Sequence, residues 1–163
     1  MRSELDRTDV AILRYLQEDG RAQLSDIADQ TGLSPPTIRR RLDRLLEEGT
    51  LREIIGVVEP EKVGLDVTAF IQMRVDRSTD YERFIEQVRA EPAVLEMHVI
   101  TGGESHLLKV RTYTMDRLDA LLSEISGWAG VKQADTDVVI RSLKETLQQP
   151  LEASGIASTS NHA

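Results

Sequence analysis

The apolar residues of this chain change their period once, at the segment EPEKVGLD (59–66). Before it they recur every three or four positions, the spacing of helices that bury one face. After it, alternating stretches are interleaved with helical ones, in the order strand, helix, strand, strand, helix, strand. A chain of 163 residues patterned in this way divides into two small domains. We expect one over residues 1–58, a linker over 59–66, a second domain over 67–148, and a disordered small-residue tail over 149–163.

LDRTDVAILRYLQEDG predicts a helix capped by Asp6, with Asp9 three positions later and Leu5, Ile12, Leu13 and Leu16 on its apolar face. Gly20 stops it. A short second helix runs from about Leu24 to Gln30, with Leu24, Ile27 and Ala28 inward and Gln23 as a poor cap. Gly32 is free to take a positive φ and turn the chain sharply. Ser34 is expected to cap a third helix by accepting from the N–H of Thr37, with Pro35 at the first helical position. That helix runs to Glu48, and Gly49 ends it. Leu51–Val58 then reads as a strand or short hairpin.

The third helix carries the chemistry. SPPTIRRRLDRL places Arg39, Arg40, Arg41 and Arg44 within one short segment. At about 100° per residue, Ile38, Leu42, Leu45 and Leu46 share one side and face the core. Arg40 and Arg44 lie opposite, one turn apart, beside Pro36 and Thr37. Three short helices, a glycine turn and a β wing describe a winged helix-turn-helix, whose last helix enters the major groove of double-stranded DNA. Arginine suits the task because its fork bonds guanine O6 and N7 together. The expected contacts are Pro36, Thr37, Arg40 and Arg44 to the groove, Ser34 and Arg39 to phosphate, and Arg52 of the wing to the backbone. Arg41 stands at the core border, open either to DNA or to an acid such as Asp6 or Asp9.

The net charge of −8 excludes a general polyanion binder, so nucleic-acid contact must be local. Sixteen arginines against four lysines, with 28 acids, suit a protein working in concentrated salt. There are no cysteines, and the N-terminal residues lack the apolar core of a signal peptide, so a cytoplasmic protein is expected. No apolar run approaches the length of a membrane span.

In the second half, VTAFIQMRV (67–75), VLEMHVIT (94–101), SHLLKVRTY (105–113) and VKQADTDVVIRSL (131–143) read as strands. TDYERFIEQVRAE (79–91) and MDRLDALLSEIS (115–126) read as helices. Leu95, Met97 and Val99 are expected on one face of their strand. The order is ferredoxin-like, βαββαβ, and the whole chain is of the α+β class. His98 and His106 lie on adjacent strands, but only Glu96 and Glu104 stand near them, so neither a metal nor a cofactor is expected.

Several motifs together resemble the Lrp/AsnC (leucine-responsive/asparagine regulator) transcription factors. They are Leu5-Asp6-x-x-Asp9-x-x-Ile12-Leu13, Asp19-Gly20-Arg21, Ile27-Ala28, Gly32-Leu33-Ser34, Thr37-Ile38, Arg41-Leu42, Leu45 and Glu48-Gly49. Pro60 and Gly64 continue the match, as do Pro92-x-Val94, Thr101-Gly102, Gly130-Val131 and Thr136. Gln23 departs from it, where the family usually has a capping Ser or Thr. The resemblance implies a DNA-binding regulator, a homodimer and larger homo-oligomers, and a small effector such as an amino acid bound between dimers. It places that effector at Thr101, Gly102, Gly103, Glu104, Ser105 and Thr136. The family's turn is Gly-x-x-Asp, and Ser105 stands where the Asp that suits an amine would be.

Two other readings stand beside this one, the first of which shares the two-domain plan. One is a siroheme decarboxylase-like subunit, whose third strand carries His-x-x-Asn-Leu-Trp where this chain has SHLLKV. The other is an assembly protein without DNA activity.

Overall fold

The structure, a computed structural model, describes residues 5–76, 80–102 and 105–151. The described residues up to Val57, together with Glu145–Leu151, make one compact unit, and those of Val58–Lys144 make a second.

The first unit is built on α1 (Arg7–Glu18), α2 (Leu24–Thr31) and α3 (Pro35–Glu47). A reciprocal capping box starts α1: the Asp6 carboxylate accepts from the Asp9 N–H at 2.9 Å, and the Asp9 carboxylate from the Asp6 N–H at 3.1 Å. Gly32 ends α2 with φ 69°, and its N–H donates to the carbonyl of Ala28. Ile12, Leu13, Ile27, Ala28, Ile38, Leu42 and Leu45 form the buried core. Each fully buried Ile or Leu contributes about 1.5–3 kcal/mol, which fixes α3 across α1 and α2 by its apolar stripe.

Four expectations need correction here. Leu46, expected inward, is 39% exposed at the edge of the stripe. Ser34 precedes α3, but its hydroxyl makes no cap bond to the Thr37 N–H. The two hydroxyls meet instead at 2.9 Å, and the Thr37 N–H donates to the Ser34 carbonyl. Leu51–Val58 forms no strand: it lacks a ladder partner among the described residues, and Val57 is 76% exposed. Finally, the chain does not leave the domains at 148. Residues 145–151 lie on the first unit, where Leu151 packs against its core. Its carbonyl accepts from the Arg14 guanidinium, and the Gln17 amide donates to the Gln149 carbonyl at 3.2 Å.

The second unit opens with a 3₁₀ turn at Pro60–Val63, then β1 (Val67–Val75), α4 (Tyr81–Ala90), β2 (Val94–Val99), β3 (His106–Thr112), α5 (Met115–Ser126) and β4 (Val131–Val138). The sheet order is β2-β3-β1-β4, with every neighbouring pair antiparallel. The βαββαβ expectation therefore holds in order and in topology. Ala69, Ile71, Met73 and Val75 of β1 and Leu108 and Val110 of β3 meet Phe84 and Val88 of α4 and Leu118, Leu121 and Ile125 of α5 in one core. Thr114 caps α5 by accepting from the Arg117 N–H at 3.2 Å. Between Val94 and Glu96 the β2–β3 register shifts. That irregularity removes Leu95 from the expected alternation: Met97 lies opposite buried Leu108, while Leu95 is exposed.

Candidate nucleic-acid interface and effector turn

On α3 the four arginines separate into two pairs. Arg41 donates through Nη1 to Asp6 Oδ2 at 2.6 Å and to Asp9 Oδ1 at 2.9 Å. Arg44 donates through Nη2 to Asp9 Oδ2 at 2.6 Å. Asp9 is 1% exposed, so its carboxylate has exchanged water for these donors. Asp6 and then Asp9 raise the Arg41 guanidinium further above its ordinary range, and Asp9 does the same for Arg44. Partial burial pushes the Asp6 carboxyl upward, yet the Asp9 N–H and Arg41 hold it below its ordinary value.

Arg44, expected in the groove beside Arg40, is thus turned onto α1. Arg41 takes the structural of its two expected roles. Arg39 is exposed and makes only an i,i+4 pair with Asp43 at 3.4 Å. Arg40 is exposed and enters no ion pair described for this chain. Pro36 is exposed and Thr37 half-buried in the first turn of α3, Ser34 is exposed just before it, and Arg52 is exposed in the segment after it. The structure therefore brings Ser34, Pro36, Thr37, Arg39 and Arg40 to one end and side of α3, and removes Arg44. The sequence signal for that removal was Asp9 itself. It stands three positions before Ile12 and four before Leu13, on the apolar face, where a carboxylate needs cations.

In the second unit, Thr101 and Gly102 are exposed after β2, with Gly102 at φ 118°. Gly103 and Glu104 lie outside the described residues. Ser105 is committed to its own domain: its hydroxyl accepts from the Val75 N–H at 3.2 Å and lies 2.6 Å from His106 Nδ1. His106 is fully buried, and its Nε2 lies 2.8 Å from the Tyr81 hydroxyl. A Tyr81–His106–Ser105 chain thus links the start of α4 to the turn, an arrangement the sequence reading did not find. His98 lies across from Leu107 and pairs with Glu96 at 3.1 Å, away from the buried face that holds His106. Thr136 lies across from Ile71 on β4, the edge of the sheet opposite β2. Three strand spacings, about 14 Å, separate it from the β2 edge. Within one chain, Thr136 and Thr101–Gly102 are not brought together.

Among the described residues no group of three His, Asp or Glu is placed to hold a metal ion, and no helix is long and apolar enough to cross a membrane.

Comparison with known proteins finds two family models in the same order along the chain. A family model for a winged helix-turn-helix DNA-binding domain matches residues 5–52, and one for the Lrp/AsnC ligand binding domain matches residues 68–149. The HTH-type transcriptional regulator FL11 of Pyrococcus horikoshii is 32% identical over 152 residues, covering 93% of this chain and 100% of that protein. The proline dehydrogenase transcriptional activator of Rhizobium radiobacter is 37% identical over 146 residues, covering 88% of this chain and 94% of its own length. Among solved structures, the transcriptional regulator NMB0573 of Neisseria meningitidis, crystallised as an L-Met complex, superposes with a TM-score of 0.83 at 32% identity, covering 90% of this chain and 96% of that one.

Proposed function

The chain belongs to the Lrp/AsnC family, and from that premise we propose how its two units divide the work of a DNA-binding transcriptional regulator. It is a regulator and not an enzyme. We assign reading of the major groove to α3, with Pro36, Thr37 and Arg40 toward base edges and Ser34, Arg39 and Arg52 toward phosphate. The observation that supports this is Arg40: an exposed arginine outside every described ion pair, opposite the core stripe and one turn from Pro36–Thr37. Its test is a footprint on the regulator's own promoter region. The wild type is expected to protect a short, roughly palindromic site and Arg40→Ala to lose it. A wild type that protects nothing on any duplex would refute the assignment.

The second unit takes a small effector at the Thr101–Ser105 turn, in a site completed by another copy of the chain. Support comes from the separation of Thr136 from Thr101–Gly102 within one chain. Glycine-rich backbone at such a turn suits an anionic group such as a carboxylate. Ser105 supplies no charge for an amine and turns its hydroxyl inward. Amino acids and other small carboxylates are therefore the class to screen. A thermal-shift series with L-methionine and related compounds is expected to raise the melting temperature for at least one; uniformly flat curves would refute the effector reading and leave the second unit as an assembly domain.

A further inference from the structure

Among the described residues of the first unit Asp9 is the one buried carboxylate, and it accepts three donors: the Asp6 N–H, Arg41 and Arg44. The two guanidiniums stand three residues apart on α3, so both reach the same edge of that helix. Arg44 lies one turn beyond Arg40 on the exposed side and stays 40% exposed, yet its Nη2 is drawn to Asp9 Oδ2 at 2.6 Å. Arg41 is committed more deeply, with a buried Nε that has no hydrogen-bond partner. One carboxylate thus anchors α3 to α1 at two points and sorts the arginine run into cations held by the fold and cations left for DNA.

We propose that Asp9 is the positioning residue of the DNA-reading helix: by gripping Arg41 and Arg44 it sets the rotation of α3 against α1 and withholds Arg44 from phosphate, favouring sequence discrimination over general affinity. The proposal rests on the assignment of α3 to the groove. Its physical content is electrostatic. An arginine added to the phosphate contacts steepens the fall of log K with log salt by about 0.9, and at 0.15 M salt tightens non-target binding by about five-fold. Asp9→Asn keeps the size and an oxygen for the Asp6 N–H but removes the charge that holds Arg44.

The experiment measures the salt slope of binding for two duplexes, one selected from a random pool by the wild type and one of scrambled sequence. Asp9→Asn is expected to steepen the non-target slope by about 0.9 and to tighten binding of the scrambled duplex about five-fold at 0.15 M salt. Adding Arg44→Gln to Asp9→Asn is expected to return the non-target slope to the wild-type value. Arg44→Gln alone, which leaves Asp9 paired with Arg41, is expected to leave that slope where it was. If Asp9 merely holds the fold, Asp9→Asn weakens both duplexes in proportion with slopes unmoved, and the proposal is overturned. A slope already shallower in Arg44→Gln alone overturns it too, since Arg44 would then be on phosphate in the wild type. Should Asp9→Asn fail to fold, that single variant still decides. A wild type that binds no duplex overturns the groove assignment and this inference with it.

Discussion

Arg40 and Arg44 stand one helical turn apart and meet different fates because of what lies within reach of each. Arg44 finds a buried carboxylate, and Arg40 is exposed, with no ion pair among the described residues. Arg40→Ala is therefore expected to weaken target binding by about 1–3 kcal/mol with loss of discrimination at one base pair. Arg39→Ala should weaken target and scrambled duplexes alike, and by less. Fluorescence anisotropy on paired duplexes separates the two patterns. Asp6 offers a second test, through pH. Partial burial raises its pKa, but the Asp9 N–H and Arg41 outweigh that and hold it below 3.8. Folding thus favours the ionised form. The stabilisation is present above the unfolded value and is lost as pH falls through the lower, folded one. Asp6→Asn keeps a capping oxygen and loses the charge, at a cost below about 1 kcal/mol for so exposed a pair. In thermal melts the gap between wild type and variant should stay level near neutrality and close below about pH 4. A gap that widens in acid would show the sign to be wrong.

Elements were legible in this sequence wherever a period ran long enough to be counted. Among the described residues, five helices and the four strands of the ferredoxin-like unit stand close to where apolar spacing put them, because a buried face must repeat, but the last strand, expected to run to residue 143, ends at Val138. The misses share a cause: what decided them lies outside the segment. Leu51–Val58 has strand-like residues, but a strand needs a ladder, and none of the described chain pairs with it. The irregularity in β2 shifts the pairing by one residue, which sequence alternation cannot register. Leu151 is a single apolar residue before a polar tail, so no period announces it, and its anchor is the distant core of the first unit. Among the arginines, identity and spacing gave the cationic helix, but only the position of Asp9 divides them. Two predictions belong at this scale. Thr114→Ala should cost about 1 kcal/mol by unsatisfying the Arg117 N–H at the start of α5, read as a lower denaturation midpoint. Leu151→Ala should cost about 1–2 kcal/mol and act locally. Hydrogen exchange should quicken in α1 while the amides of β1 and β3 keep their protection. Uniform loss across both units would deny the segment its place on the first.

At the scale of the molecule, a net charge of −8 leaves DNA contact to a local cluster of cations, and the reading proposed above puts that cluster on the first unit and the effector on the separately built second one. The proposed effector site has a geometric consequence. Thr136 stands on the edge strand β4, and Thr101–Gly102 follow β2, the strand at the other edge, with β3 and β1 between the two strands. A site using both must draw them from different chains, so effector affinity and assembly are linked, and each strengthens the other by the same factor. Mixing distinguishes this from a site within one chain. Thr101→Val and Thr136→Val each remove one hydroxyl with little change of shape, and each variant alone is expected to bind the effector found in the thermal screen more weakly. Unfolded and refolded together, the two variants form interfaces in which an intact Thr101 of one chain meets an intact Thr136 of the other. Calorimetry on the mixture should then recover a fraction of sites at wild-type affinity. If each variant binds weakly and the mixture recovers none, the site lies within a single chain; if Thr136→Val binds as the wild type does, the last strand has no part in it.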